Sequence, residues 1–98
     1  MDYRGKVVVI TGASSGIGRD AAVAFAKRGA IVVGVARREN LLQELADECR
    51  RHASDASYLA GDLGERAFAE RVIHDTIARH GRLDVLINNA GIPIHKQI

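Results

Sequence analysis

The sequence predicts an α/β fold, part of a doubly wound domain with a parallel sheet in the order 3-2-1-4 and helices on both faces. Three observations predict it. Four short apolar runs alternate along the 98 residues with three amphipathic stretches. The strongest runs are continuous rather than alternating in polarity, as parallel strands buried on both faces require. A glycine-rich turn follows the first run directly and opens the first amphipathic stretch.

Residues 7–10, Val-Val-Val-Ile, form the first strand. Ile17, Ala21, Ala24 and Phe25 then share a helical face, and that helix ends at Lys27-Arg28-Gly29. The basic pair suits the negative end of the helix dipole, and Gly29 suits a left-handed C-terminal position. Residues 31–35 are the second strand; Leu41, Leu45 and Cys49, with Leu42 beside them, mark the second helix. Residues 57–60 are a weaker third strand. Ala69, Ile73 and Ile77, with Phe68 and Val72, mark a third helix that stops near His80-Gly81, and residues 83–87 are the fourth strand. Right-handed crossovers turn this β-α-β-α-β-α-β order into one parallel sheet. The fourth strand is an apolar strand at a sheet edge, with Ile92, Pro93 and Ile94 trailing it. In a doubly wound fold such an edge is covered by further strands, so residues 1–98 read as the front half of a longer chain.

Composition narrows the function classes. A net charge of +2 makes no electrostatic case for nucleic acid or an anionic membrane, and 47% hydrophobic residues suits a globular domain. One cysteine excludes an internal disulfide; Cys49 reads as a small core residue on the inner face of its helix. No His/Cys cluster points to a metal, and no apolar run approaches membrane-spanning length. The expected location is cytoplasmic.

The chemical signal is the turn Thr11-Gly12-Ala13-Ser14-Ser15-Gly16-Ile17-Gly18. Gly12 lets the chain turn sharply off the strand, Gly16 lets the backbone approach a diphosphate, and Gly18 lets the helix pack closely on the sheet. The unpaired N–H groups of the first helical turn then face the phosphates, assisted by the dipole. The turn supplies Gly12, Ser14, Ser15, Gly16, Ile17 and Gly18 as candidate cofactor contacts. The spacing is GxxxGxG, and no Gly-Lys-Ser/Thr follows, so this is not a P-loop.

In these residues the chain resembles the short-chain dehydrogenase/reductase family, in the branch with a TGxxxGxG turn on a Rossmann fold. Two downstream motifs extend the resemblance over essentially the whole chain: Asp62-Leu63 after the third strand, and Asn88-Asn89-Ala90-Gly91 ending the fourth. The resemblance implies that Asp62 and Leu63 lie near an adenine ring. It also implies that Asn89 braces the turn near Thr11, and that Ala90 and Gly91 pass close to the adenosine ribose. Asn88 has the simpler reading of a strand-end hydrogen bond within the fold.

The position after the second strand separates the two nicotinamide cofactors. An acidic residue there binds the ribose 2′-hydroxyl of NAD and repels the 2′-phosphate of NADP. This chain has Ala36-Arg37-Arg38. Arg37 offers a planar fork of donors to the phosphate, Arg38 adds charge or stacks on the adenine, and Ser14 adds a hydroxyl. The expected cofactor is NADP(H).

In the family the chemistry belongs to a Tyr and a Lys four residues later. Here Tyr3 is followed at that distance by Val7 and Tyr58 by Asp62, so no catalytic residue is assigned. His52, His74 and His80 read as helix-end or helix-surface residues, and His95 as part of the tail. The intact protein is expected to move hydride between NADPH and a small carbonyl or alcohol substrate, as a homo-oligomer. The alternatives are a non-catalytic NADP-binding module or redox sensor, and a nucleotide-sugar-modifying branch, whose TGxxGxxG spacing fits less well.

Overall fold

Residues 2–90 are described by the structure, a computed structural model. Strands β1 (Val7–Thr11), β2 (Ile31–Ala36), β3 (Ala56–Ala60) and β4 (Val85–Asn88) alternate with helices α1 (Gly16–Lys27), α2 (Glu39–Arg50) and α3 (Arg66–His80). All strand pairs are parallel and the order is β3-β2-β1-β4, as the sequence predicts. β1 lies between two partners, and every one of its residues is buried. Among the described residues β4 pairs only with β1, and it is half-buried.

The alternation along the strands divides the core in two. Val8, Ile10 and Val32 point to the layer of α1 and α2, where Ala22, Ala26, Leu42, Leu45 and Cys49 meet them. Val7, Val9, Val33 and Val35 point to the layer of α3 and meet Leu63, Phe68, Ala69 and Val72. Cys49 is fully buried, as read from its spacing, and burial pushes its thiol up to about 11. A thiol so placed is an inert core group.

Two helix faces differ from the sequence reading. The buried row of α1 is Gly18, Ala22 and Ala26, while Ile17 is 80% exposed. Small residues face the sheet because α1 packs against it at close range. Phe25 lies to the side, edge-on to Tyr3 at 5.1 Å between ring centres. In α3 the buried row is Phe68, Ala69, Val72 and Thr76; Ile73 is half-buried and Ile77 is 48% exposed. The buried row is rotated from the Ala69-Ile73-Ile77 stripe and takes in Thr76, whose buried hydroxyl has no hydrogen-bond partner among the described residues. The tail after β4, with Pro93 and His95, lies outside the described residues.

The end of the sheet away from the glycine turn is held by polar contacts. Asp84 accepts the Val7 N–H at 2.8 Å and the Arg82 Nε–H at 2.8 Å, tying the start of β1 to the residue before β4. The Arg82 guanidinium, and then the Val7 amide, hold the Asp84 carboxyl below the usual carboxylate value. His52 and His74 are exposed, as expected, but the His80 side chain is only 4% exposed. It shares a 2.8 Å hydrogen bond with the Ser57 hydroxyl and lies 3.9 Å from Asp55. It closes α3 over the start of β3, a tertiary contact that helix-end spacing does not reveal.

Burial holds the His80 imidazole below its ordinary value of 6.5; Asp55 opposes this and Arg79 adds to it. The unfolded chain therefore takes up a proton that the folded chain resists. The stability this group contributes is complete above pH 6.5 and is lost as pH falls from 6.5 toward the lower folded value. Urea unfolding midpoints should drop between about pH 7.5 and 5. The drop should shrink in His80→Gln. A flat profile in the unsubstituted chain, or an equal drop in both proteins, would contradict this.

Candidate functional site

A cleft of about 370 Å³ opens at the C-terminal ends of the strands. Gly12, Ser14 and Ser15 of the turn form one wall, and Val35, Ala36, Arg37 and Arg38 leave β2 along another. Leu41 of α2, Gly61 and Leu63 after β3, and Ala90 after β4 complete it. This is the crevice at the point where strand order reverses, the standard ligand position of an open α/β sheet.

The turn is built for close approach. Gly16 has φ +59, and nothing lies within 4 Å of where its Cβ would stand. A Cβ at Gly18 would come 2.2 Å from the Gly12 carbonyl oxygen and 2.6 Å from Asn89 Nδ2. The missing side chain is thus what lets α1 begin against the turn. Ser15 at the N-cap makes no side-chain capping bond, and the first turn of α1 carries no acidic residue. The helix therefore presents its N-terminal amides and positive dipole end without compensation, as an anion site requires.

Beneath the turn is a cross-braced floor. The buried Thr11 hydroxyl donates to Asn88 Oδ1 at 3.0 Å and accepts the Ala90 N–H at 3.1 Å. Asn89 Nδ2 donates to the Gly12 carbonyl at 3.4 Å, and the Ala13 N–H donates to the Val35 carbonyl at 3.2 Å. The brace expected of Asn89 is present, and Asn88 makes the shorter bond to Thr11 itself.

On the rim, Arg37 stands 3.4 Å from the Asp62 carboxylate. The Gly64 amide, donating at 2.8 Å, and then Arg37, hold the Asp62 carboxyl below the usual range. Glu39, the nearest acidic residue on α2, accepts a hydrogen bond from the Tyr58 hydroxyl at 3.0 Å.

Of the residues predicted from sequence, Gly12, Ser14, Ser15, Arg37, Arg38, Leu63 and Ala90 line the cleft. Gly16, Ile17 and Gly18 form the adjoining start of α1, Asp62 reaches the rim through Arg37, and Asn89 supports the floor. Gly91 lies outside the described residues. Val35, Leu41 and Gly61 line the cleft without a sequence signal that marks them as site residues, and Thr11 and Asn88 support it from beneath. The spacing of Leu41 marks it as helix core, although its place in the first turn of α2, three residues after Arg38, brings it to the cleft. Gly61 was legible only as the residue before Asp62; a Cβ there would meet the Phe68 ring at 2.5 Å. Among the described residues no cluster of metal-ligating side chains occurs, and no helix is long and apolar enough to cross a membrane.

Residues 6–98 match the family model described as short chain dehydrogenase. The "11-beta-hydroxysteroid dehydrogenase-like 4A" of Arabidopsis thaliana is 52% identical over 89 residues, which cover 90% of this chain and 30% of that protein. The L-sorbose reductase of Gluconobacter frateurii, solved with NADPH and L-sorbose, matches at TM-score 0.86 with 37% identity, over 100% of this chain and 38% of its own. A hydroxysteroid dehydrogenase from Escherichia coli matches at TM-score 0.86 with 31% identity, over 92% of this chain and 37% of its own. The chain thus spans about a third of the length of these relatives.

The two glycines at the start of α1 should respond differently to alanine. Gly18→Ala forces backbone apart and should cost about 3 kcal/mol, the upper end of the usual range for overpacked cores. Gly16→Ala meets open space and only a left-handed backbone penalty, about 1 kcal/mol. Paired urea titrations check the order; equal losses would contradict the close contact of α1 with the turn.

Proposed function

The chain belongs to the short-chain dehydrogenase/reductase family, and on that premise we propose that its cleft binds NADP(H) in preference to NAD(H). The observation that carries this reading is the rim after β2. Ala36 stands there in place of an acidic residue, and Arg37 and Arg38 both line the cleft. A 2′-phosphate meets two guanidinium groups there and no carboxylate from the residues that follow β2, and an arginine fork matches phosphate oxygens geometrically. The NADPH-bound L-sorbose reductase, 37% identical, supports the same choice.

The fit rests on the turn as well. The N-terminal amides of α1 hold the diphosphate, and the openness above Gly16 admits it without a side chain in the way. The Ser14 hydroxyl adds a hydrogen bond at the 2′-phosphate. Asp62 and Leu63 border the adenine, and Asn89 and Ala90 keep the floor beneath the ribose in place. When bound, the nicotinamide supplies hydride chemistry. The residues of this chain bind and orient; none is assigned to move a proton, because neither Tyr3 nor Tyr58 has a lysine four residues on.

For the whole protein the proposed activity is hydride transfer between NADPH and a small carbonyl or alcohol substrate. Titration calorimetry should give at least tenfold tighter binding of NADPH than of NADH, the return expected from one charge-assisted contact. Arg37→Asp should abolish that preference while changing NADH affinity little. Equal losses for both nucleotides would refute the assignment. This chain purified by itself should show no sustained NADPH oxidation with carbonyl substrates; a steady rate would show that it carries a proton-transfer group after all.

A further inference from the structure

We propose that Asp62 sets the strength of the cofactor preference by competing with the ligand for Arg37; this rests on the NADP(H) reading above. The Asp62 carboxylate holds the guanidinium across the rim of the cleft, and only a ligand with its own anionic group at that point draws it away.

The sheet register creates the pair. Ala36 and Ala60 are Cα partners on neighbouring strands, so the chain leaves β2 and β3 side by side. Arg37 follows one residue later and Asp62 two. The carboxylate is the fixed member. Its Oδ1 accepts the Gly64 N–H at 2.8 Å, anchored to backbone within its own turn, and faces Arg37 Nη2 at 3.4 Å. The guanidinium is the movable member: its side chain is 73% exposed, against 39% for Asp62. Arg38 enters no ion pair among the described residues, so one cation of the rim is engaged and its neighbour is available.

A phosphate monoester carries nearly two charges and three strong acceptor oxygens near neutral pH, and so outbids a carboxylate for an arginine. A ribose hydroxyl is neutral and does not. The phosphorylated cofactor must therefore break an existing ion pair and leave Asp62 facing added negative charge. The unphosphorylated one leaves the pair intact. Asp62 thus restrains NADPH affinity selectively, although it stands on β3 and not on the strand that carries the arginines.

The test is the ratio of NADPH to NADH affinity by calorimetry in a set of variants. Asp62→Asn keeps the acceptor for the Gly64 N–H and removes the charge. The ratio should rise about two- to fivefold, the span of an exposed ion pair. The ratio is the readout, because any change at the adenine affects both nucleotides alike and cancels in it. Asp62→Ser, which also offers an oxygen to Gly64, should raise the ratio too and guards against one variant misfolding. In an Arg37→Gln background, where only the repulsion between Asp62 and the phosphate remains, the gain from Asp62→Asn should be clearly smaller. An equal gain in both backgrounds would mean simple repulsion and overturn the role given to Arg37. A ratio unmoved in a protein that prefers NADPH overturns this inference alone. A protein that shows no preference for NADPH in any form overturns the reading of the cleft, and the inference with it.

Discussion

The site depends on one close approach: the start of α1 lies against the end of β1, with no room for a methyl group at Gly18. That contact places the amides of the first helical turn beside the crevice where the strand order reverses. It also explains the floor. A turn this tight has carbonyls and a hydroxyl directed into the protein, and burying them unpaired is expensive. Thr11, Asn88, Asn89 and the Ala90 amide satisfy them across β1 and β4. The Asn-Asn-Ala stretch therefore completes the turn, with Ala90 also lining the site, and the two motifs, nearly eighty residues apart in sequence, are one structural object.

Around that object the charges are arranged by sign. The N-terminal end of α1 is left uncapped by side chains and free of acidic residues, so its dipole is available to an anion. The two arginines extend the positive surface toward the outer rim. The nearby carboxylates are each engaged: Glu39 accepts from Tyr58, and Asp62 accepts from Gly64 and faces Arg37. On the proposed reading, discrimination between two cofactors that differ by one phosphate rests on the rim, while affinity common to both rests on the turn.

The element order and the sheet topology were legible because continuous apolar strands and a glycine turn at a strand end leave few alternatives. The helix faces were less so. In α1 the row that packs is glycine and alanine, so periodicity among the larger residues reports the flanks and puts the exposed Ile17 on the wrong side. In α3 the inward Thr76 hides the buried row behind a polar residue type. Within the site, the turn and the arginines could be named from local pattern alone. The Arg37–Asp62 pair and the burial of His80 against Ser57 could not, because each depends on which residues the register of neighbouring elements sets side by side.

The central claim, that α1 amides hold the diphosphate while Arg37 reads the 2′-phosphate, is most directly tested by two-dimensional 15N NMR during titration with NADP+ and with NAD+. Both nucleotides should shift the backbone amides of Gly12 and residues 14–18. Only NADP+ should shift the Arg37 side-chain Nε signal, and residues around His80 should stay still in both. Unmoved turn amides, or an Arg37 signal that responds equally to the two, would contradict the account.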